Sequence, residues 1–260
     1  MLQYSSTGAG TAVVLVHGFG EDSRIWDDLK QLLKEHYCVL VPDLPGTGGS
    51  TLPADLLLSM ESMASDIKAM LDAEEIRSCV LLGHSMGGYI ALAFAELYPS
   101  YLNGFGCIHS TAAADTEAKK EARRKGIEFI KANGAGSFVK TTIPNLFAAA
   151  FRQSSPDVVE ELIERGQALS AEVLIACYEA MMARPDRTHV LKHATVPVLL
   201  FIGGQDQAVN PDDALQQATL PSVCQVHFIP AIAHMGMYEA PEELYHQVSS
   251  FLHYVETKKN

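Results

Sequence analysis

Short apolar segments rich in β-branched residues alternate along the chain with segments whose apolar residues recur every three or four positions. The first pattern is typical of buried strands and the second of amphipathic helices. Their alternation predicts an α/β fold class, with a mostly parallel central sheet flanked by helices. The predicted strands are 11–16, 37–41, 79–82, 105–108, 197–202 and 226–229. Helices are predicted around 25–33, 59–71, 86–97 and 242–255.

The stretch 112–190 differs from the rest because it contains helical patterns and almost no strand signal. A crossover between parallel strands needs only about a dozen residues, and this stretch is several times longer. We therefore predict a helical cap at 112–190, inserted into a core domain formed by 1–111 and 191–260. We expect most of its larger apolar residues to pack the cap helices together rather than to contact a substrate. They are Phe138, Ile143, Leu146, Phe147, Phe151, Leu174, Met181 and Met182.

A candidate nucleophile lies in the segment Gly83-His84-Ser85-Met86-Gly87, between an apolar strand and a helix of small residues. This is the pattern G-x-S-x-G in the strand–turn–helix context that the motif requires. A serine exposed on so sharp a turn needs glycine two positions before and after it, since side chains there would collide. The following helix also directs free N–H groups toward the serine. We predict that Ser85 is a nucleophile.

A serine that attacks a carbonyl also needs hydrogen-bond donors for the oxyanion that forms. The backbone N–H of Met86 is the first candidate. The second is the N–H of Phe19, in the loop His17-Gly18-Phe19-Gly20 that directly follows the first predicted strand. We expect His17 to brace this loop or to line the pocket rather than to transfer protons.

The serine hydroxyl further needs a base to remove its proton, and the chain offers ten histidines. His234 is the strongest candidate because it follows the strand 226–229, and sites in such sheets collect at the carboxyl ends of strands. His84 is expected to point away from Ser85 and to brace its loop, although it could line the pocket. His109 ends another strand and is a second candidate for lining the pocket.

A carboxylate must then hold the tautomer of the base. Asp206 lies just past the strand 197–202 and between Ser85 and His234 in the chain, which gives the order Ser, Asp, His. Asp115 is a weaker alternative acid. Asp43 precedes Ser85, and we expect it to brace the turn-rich loop 45–50.

Composition excludes several other classes. The formal charge of −12 disfavours nucleic acid and membrane surfaces as partners. No apolar run is long enough for a membrane span, and the first ten residues lack the pattern of a secretory signal. The five scattered cysteines form no CxxC pair. We expect a cytoplasmic protein whose candidate partners are a small-molecule substrate and, in a possible homodimer, a second copy of itself.

Together these segments resemble the α/β-hydrolase superfamily, in its capped, carboxylesterase-like branch with a serine nucleophile. The matching pieces are HGFG at 17–20, PDLPGTGGS at 42–50, GHSMGG at 83–88, the GGQD that ends at Asp206, and AHMGMYEAPEEL around His234. The resemblance implies an acyl-enzyme on Ser85 that water releases, with no metal and no organic cofactor. The serine at position 85 argues against the dehalogenase and epoxide-hydrolase branches, which use an aspartate.

The expected function is hydrolysis of a small or medium carboxylic ester, thioester or lactone. Two alternatives stay open at this stage. The same triad could hydrolyse carbon–carbon bonds or carry out cofactor-free perhydrolysis. The chain could also be a ligand sensor that uses a hydrolase pocket with slow turnover.

Overall fold

A seven-stranded sheet forms the centre of the protein in the computed structural model, which describes residues 2–53 and 57–258. Its strands are β1 (Tyr4–Thr7), β2 (Ala12–Val16), β3 (Cys38–Pro42), β4 (Cys79–His84), β5 (Leu102–Ile108), β6 (Val198–Gly203) and β7 (Cys224–Ile229). They lie in the order β1-β3-β2-β4-β5-β6-β7. Every neighbouring pair is parallel except β1 and β3. The prediction of a mostly parallel sheet is therefore confirmed.

The edge strand β1 is missing from the sequence-based prediction. Its sequence YSST is mostly polar and none of its residues is fully buried. It pairs on one side only, with Tyr4 opposite Pro42 and Thr7 opposite Val39. Apolar patterning cannot reveal a strand that buries so little, because such patterns report burial rather than pairing.

Helices cover both faces of the sheet. The helices outside the segment 112–190 are α1 (Asp27–Leu33), α2 (Met60–Ala73), α3 (Met86–Leu97), α10 (Pro211–Gln217), α11 (Gly236–Glu239) and α12 (Pro241–Thr257). Within it lie α4 (Glu117–Asn133), α5 (Ala135–Thr142), α6 (Ala149–Ser154), α7 (Pro156–Gln167) and α8 (Ala171–Ala183), and α9 (Thr188–Lys192) begins in it and ends two residues beyond it. No helix in the described part of the chain is both long and apolar enough to cross a membrane.

The alternation of side chains along β2 shows how the two layers are filled. Val14 and Val16 belong to the hydrophobic cluster that contains α2 and α3, whereas Val13 and Leu15 belong to the cluster that contains α1 and α12. Successive strand residues point to opposite faces, so a strand covered on both sides must be apolar throughout. This is why β2 to β6 could be recognised as continuous apolar runs.

The described residues of 112–190 contain helices and no strand, in agreement with the helical content predicted for this segment. The last helix, α9, packs against α3, and its residues Val190 and Leu191 join the same hydrophobic cluster as that helix. All six helices stand between β5 and β6 in the chain. The division into a core domain and a cap at 112–190 stays a prediction.

Candidate active site

Ser85 occupies the sharp turn between β4 and α3, with a positive φ of 51°. L-residues rarely adopt this region, and here the neighbours enforce it. A Cβ atom added to Gly83 would lie 2.1 Å from the carbonyl oxygen of Gly87, and one added to Gly87 would lie 2.4 Å from that of Val16. Only glycine fits at these two positions, as the motif predicts.

The backbone of Ser85 is fixed from both sides. Its N–H donates to the carbonyl of Ile108 at 2.9 Å, which continues the pairing of β4 with β5. The hydroxyl of Ser110 donates to the carbonyl of Ser85 at 2.7 Å. Gly88 leaves the room for this contact, since a Cβ there would lie 2.3 Å from Ser110 Oγ. The turn is thus anchored to β5 and to the residues that follow it.

His234 and Asp206 meet at the carboxyl ends of β6 and β7. Nδ1 of His234 lies 2.7 Å from Oδ2 of Asp206, and both side chains are almost completely buried. The contact with the carboxylate places the imidazole proton on Nδ1, so Nε2 is the atom available as a base. Ser85 and His234 both line the same cavity. Their side chains make no direct hydrogen bond here, and such bonds often tighten only when substrate binds.

Asp206 is held by two further donors. The backbone N–H groups of Ala208 and Val209 donate to its Oδ1 at 2.8 and 2.9 Å. Burial alone would raise the pKa of Asp206, but the charge and the hydrogen bond of His234 outweigh it, so this pKa lies far below its usual range. The carboxylate therefore stays ionised at any pH where the protein would work.

His17 braces the loop that carries the candidate oxyanion donor Phe19. The backbone N–H of Leu44 donates to its Nε2 at 3.0 Å, so its Nδ1 carries the proton and donates to the carbonyl of Gly18 at 2.9 Å. Burial lowers the pKa of His17, which keeps the ring neutral. The side chain has no remaining donor for a substrate, in line with the expectation that it braces this loop.

Glu21 is a residue of the site that the sequence analysis did not single out. Its Oε2 accepts the N–H of Gly18 at 2.6 Å and lies 3.0 Å from Nδ1 of His84. On the other side of that ring, Nε2 of His84 lies 2.9 Å from the carbonyl oxygen of His234. The two rings and the carboxylate are buried. A continuous chain of contacts therefore joins the loop of Phe19 to the loop of His234.

Glu21 and His84 each stabilise the charged form of the other. Burial would raise the pKa of Glu21, but the nearby charge of His84 lowers it overall. Burial would likewise lower the pKa of His84, but the charge of Glu21 and the hydrogen bond to it raise this pKa overall. His84 as a cation donates from both nitrogens, one to the carboxylate and one to the carbonyl. It braces the site instead of lining the pocket.

His109 lies behind Asp206, with Nδ1 at 3.6 Å from Oδ2, which is too long for a hydrogen bond. Neither nitrogen of this buried ring has a hydrogen-bond partner in the structure. Burial lowers its pKa to about 4, so the ring is neutral. His109 adopts a positive φ of 49°, and Gly236 faces it, since a Cβ there would lie 2.4 Å from Nε2.

The cavity beside Ser85 has a volume of about 290 Å³. His17, His84 and His109 are not among the described residues that line it. The alternative prediction that these three histidines line the pocket is therefore wrong. All three rings lie behind the cavity wall, where they pack against the loops.

Most of the wall comes from the segment 112–190. Of the eight apolar residues highlighted there, five line the cavity, contrary to the expectation that most would only pack helices: Phe138, Ile143, Leu146, Leu174 and Met181.

Both loops that carry candidate catalytic residues also contact the segment 112–190. The ring of Phe19 stacks on Tyr178 of α8 at a centroid distance of 4.4 Å. The backbone N–H of His234 donates to the carbonyl of Leu146 at 2.9 Å. The helical segment therefore positions the two loops as well as enclosing the cavity.

The two competing aspartates have other partners. Asp115 forms ion pairs with Arg123 at 2.6 Å and with Arg184 at 2.9 Å, so it is no partner of His234. Asp43 accepts the N–H of Gly49 at 2.8 Å and that of Ser23 at 2.9 Å. It braces the loop 45–50, as predicted.

Among the residues that the structure describes, one group of side chains has ligand atoms close enough together to bind a metal ion, namely His109, Asp206 and His234, within 4.8 Å. Oδ2 of Asp206 and Nδ1 of His234 already face each other at 2.7 Å in this group. A metal ion would have to break that contact. The arrangement suits a hydrogen-bonded acid–base pair better than a coordination site.

A serine on a strand–helix turn, with a histidine and an aspartate on later strand ends of a mostly parallel sheet, defines the class of the α/β-hydrolases. Residues 13–247 match the model of the alpha/beta hydrolase family, and the chain belongs to this family of enzymes.

Relatives whose names state a function match nearly the whole chain. The 3-oxoadipate enol-lactonase 2 of Acinetobacter baylyi is 26% identical over 255 residues, which is 96% of this chain and 92% of the relative. A thermophilic esterase from Thermogutta terrifontis, solved with malate bound, has a TM-score of 0.92 and 31% identity, and the match covers 98% of this chain and 93% of the esterase. An enol-lactonase from Burkholderia xenovorans has the same fold, with a TM-score of 0.88 at 21% identity over 96% of each chain.

Proposed function

We propose that the protein is a serine hydrolase that cleaves a small carboxylic ester, thioester or lactone through an acyl-enzyme on Ser85. The observation that carries this proposal is the shared cavity of Ser85 and His234, with His234 bound to a buried, ionised Asp206. The family membership and the esterase and enol-lactonase relatives support it.

In the first half of the reaction, Nε2 of His234 takes the proton of the Ser85 hydroxyl as its oxygen attacks the carbonyl carbon. The N–H groups of Phe19 and Met86 hold the negative charge that develops on the carbonyl oxygen. Met86 is the first residue of α3, so its N–H has no acceptor within the helix. The imidazolium of His234, stabilised by Asp206, then protonates the leaving alcohol.

In the second half, water replaces the alcohol. His234 accepts a proton from this water, which attacks the acyl carbon and releases the carboxylic acid together with the regenerated Ser85. For a lactone, alcohol and acid stay in one product. The complete reaction thus consumes one ester and one water and releases one acid and one alcohol, and it needs no further reactant.

The volume and the wall of the cavity favour a small substrate. The volume of about 290 Å³ lies just below the usual range of ligand cavities, which runs from roughly 300 to 1,000 Å³. Aromatic and aliphatic side chains from 112–190 line this space beside Ser85.

The test is covalent labelling with a fluorophosphonate, together with hydrolysis of 4-nitrophenyl acetate. Ser85→Ala is expected to lose the label and to reduce hydrolysis to background, because the hydroxyl that would form the acyl-enzyme is removed. Ser65→Ala, on the surface helix α2, is the matched control and should behave as wild type. Labelling that survives in Ser85→Ala would refute the assignment of the nucleophile.

The same measurements separate the alternatives. A protein that is labelled but turns over no ester, while ligands raise its Tm and are recovered intact, would be the ligand sensor. Hydrolysis of a vinylogous diketone without hydrolysis of esters would indicate carbon–carbon bond hydrolysis. Perhydrolysis would be indicated if a reporter is brominated in the presence of peroxide, acetate and bromide at a higher rate than esters are hydrolysed.

A further inference from the structure

Two basic residues line the cavity from one face of α4. Lys119 and Arg123 are four positions apart, which places them on neighbouring turns of the same helix face. They belong to the charged run EAKKEARRKG, of which most other basic residues pair with surface carboxylates of the same helix. The proposed reaction of Ser85, His234 and Asp206 makes no use of either cation.

The carboxylates nearby do not balance these cations. Asp115 is shared between Arg123 and Arg184, so one negative charge faces two positive ones. Among the described residues, no carboxylate oxygen comes within the 4.0 Å ion-pair distance of Lys119 Nζ. Glu21, the acidic residue in the cavity wall, is already engaged with His84 and Gly18. Lys119 is therefore a cation of the cavity wall with no directly paired carboxylate, and Asp206 acts on it only from a longer distance.

Lys119 has capacity left to bind a ligand. Its Nζ donates to the carbonyl oxygen of Ala208 at 3.2 Å, and an ammonium group has three donors. Burial lowers its pKa, whereas Asp115 acts in the opposite direction. A partly buried ammonium with unused donors gains most from an anionic partner, because a charge-assisted hydrogen bond replaces the water it has lost.

We propose that the substrate is a small ester or lactone that carries a carboxylate on its acyl or alcohol part, and that Lys119 binds this carboxylate while Arg123 adds to the positive field. The inference rests on the proposed function, since the same cavity must present the ester carbonyl to Ser85. The small volume agrees with it, because a short chain between ester and carboxylate fits where a long acyl chain does not.

The test compares anionic esters with uncharged analogues of nearly the same shape. Monomethyl glutarate and its primary amide form the pair for the acyl part, and O-acetylglycolate and its amide form the pair for the alcohol part. For the wild type, we expect kcat/KM to be about 10- to 100-fold higher for the acid than for the amide in one of the two pairs, the range for one charge-assisted hydrogen bond. The pair that shows this preference identifies which part carries the carboxylate.

Lys119→Gln should abolish the preference of acid over amide, chiefly by raising KM for the acid. Lys119→Arg should restore part of it, since the charge returns. Lys120→Gln is the matched control, because the adjacent lysine pairs with Glu117 and does not line the cavity. Equal rates for acid and amide in the wild type, or an unchanged preference in Lys119→Gln, would overturn the inference and leave the proposed hydrolase intact.

A binding measurement separates this inference from the proposed function. Glutarate, a product-like dicarboxylate, should raise the Tm of the wild type and of Ser85→Ala, but not that of Lys119→Gln. If no ester is hydrolysed but glutarate still gives this pattern, the hydrolase proposal fails and the carboxylate site stands. If 4-nitrophenyl acetate is hydrolysed and glutarate has no effect on Tm, the carboxylate site is wrong.

Discussion

Replacement of Asp206 by asparagine tests the proposed acid through the proton on His234. In the native protein, Oδ1 of Asp206 accepts two backbone N–H groups, and Oδ2 faces Nδ1 of His234 at 2.7 Å. Asparagine has one oxygen, and the two backbone donors will hold it at the Oδ1 position. Its NH₂ group then faces Nδ1 of His234, so this nitrogen must accept rather than donate.

The consequence is a histidine with its proton on the wrong nitrogen. Nε2 then carries the hydrogen and cannot take one from Ser85. In a serine protease triad, the same change lowers kcat by about 10⁴. A factor of this size corresponds to about 5.5 kcal/mol of transition-state stabilisation, at 1.36 kcal/mol for each power of ten. We expect a similar loss here, because a buried carboxylate also faces Nδ1 of the histidine in this protein.

The assay is steady-state hydrolysis of 4-nitrophenyl acetate by Asp206→Asn, with thermal unfolding measured in parallel. The variant should remain folded, since both backbone donors keep their acceptor. Asp43→Asn is the matched control, as Asp43 also follows a strand and accepts backbone N–H groups but is remote from His234. A kcat for Asp206→Asn within tenfold of the wild type would refute the assignment. A 10⁴-fold loss in Asp115→Asn with its fold intact would point to that residue instead.

Two further predictions concern stability. Glu21→Gln should lower the free energy of unfolding by about 3 kcal/mol between about pH 4.3 and 6.5, as measured by urea unfolding. The loss should become smaller above the raised pKa of His84, because the native pair loses its cation there. It should also become smaller below the lowered pKa of Glu21, where the carboxylate is protonated. A loss that does not depend on pH would contradict the ion pair. Gly83→Ala should lower the free energy of unfolding by about 3 kcal/mol, because its Cβ would lie 2.1 Å from the carbonyl oxygen of Gly87. Gly136→Ala is the control and should leave this free energy unchanged, since its Cβ would lie 3.7 Å from the nearest atom. Equal effects of the two substitutions would contradict this packing.

The sequence predicts those parts of the site whose geometry is local or follows from the sheet. Gly83, Ser85 and Gly87 lie within five residues of one another, so the strained turn can be recognised from the motif alone. Asp206 and His234 are distant in the chain, but each follows a buried strand. Carboxyl ends of parallel strands meet at one edge of the sheet, and for this reason their proximity could be expected.

The cations of the cavity could not be recognised in this way. Lys119 and Lys120 are neighbours in one charged run, and both would be expected on a solvated helix face. Only the docking of α4 decides that Lys119 turns toward the cavity while Lys120 pairs with Glu117 at the surface. The periodicity of α4 shows which residues share a face, but it does not show what that face meets. Substrate recognition is therefore the part of the function that depends most on tertiary structure.

The contact chain from Gly18 through Glu21 and His84 to His234 adds a constraint that no motif contains. Glu21 and His84 are 63 residues apart, and His84 and His234 are 150 residues apart. The chain fixes the loop of Phe19 relative to the loop of His234, so the proposed oxyanion donor and the proposed base cannot move independently. An enzyme that must stabilise the oxyanion and transfer a proton in the same transition state benefits from such a link, since both groups must already be in place when the serine attacks.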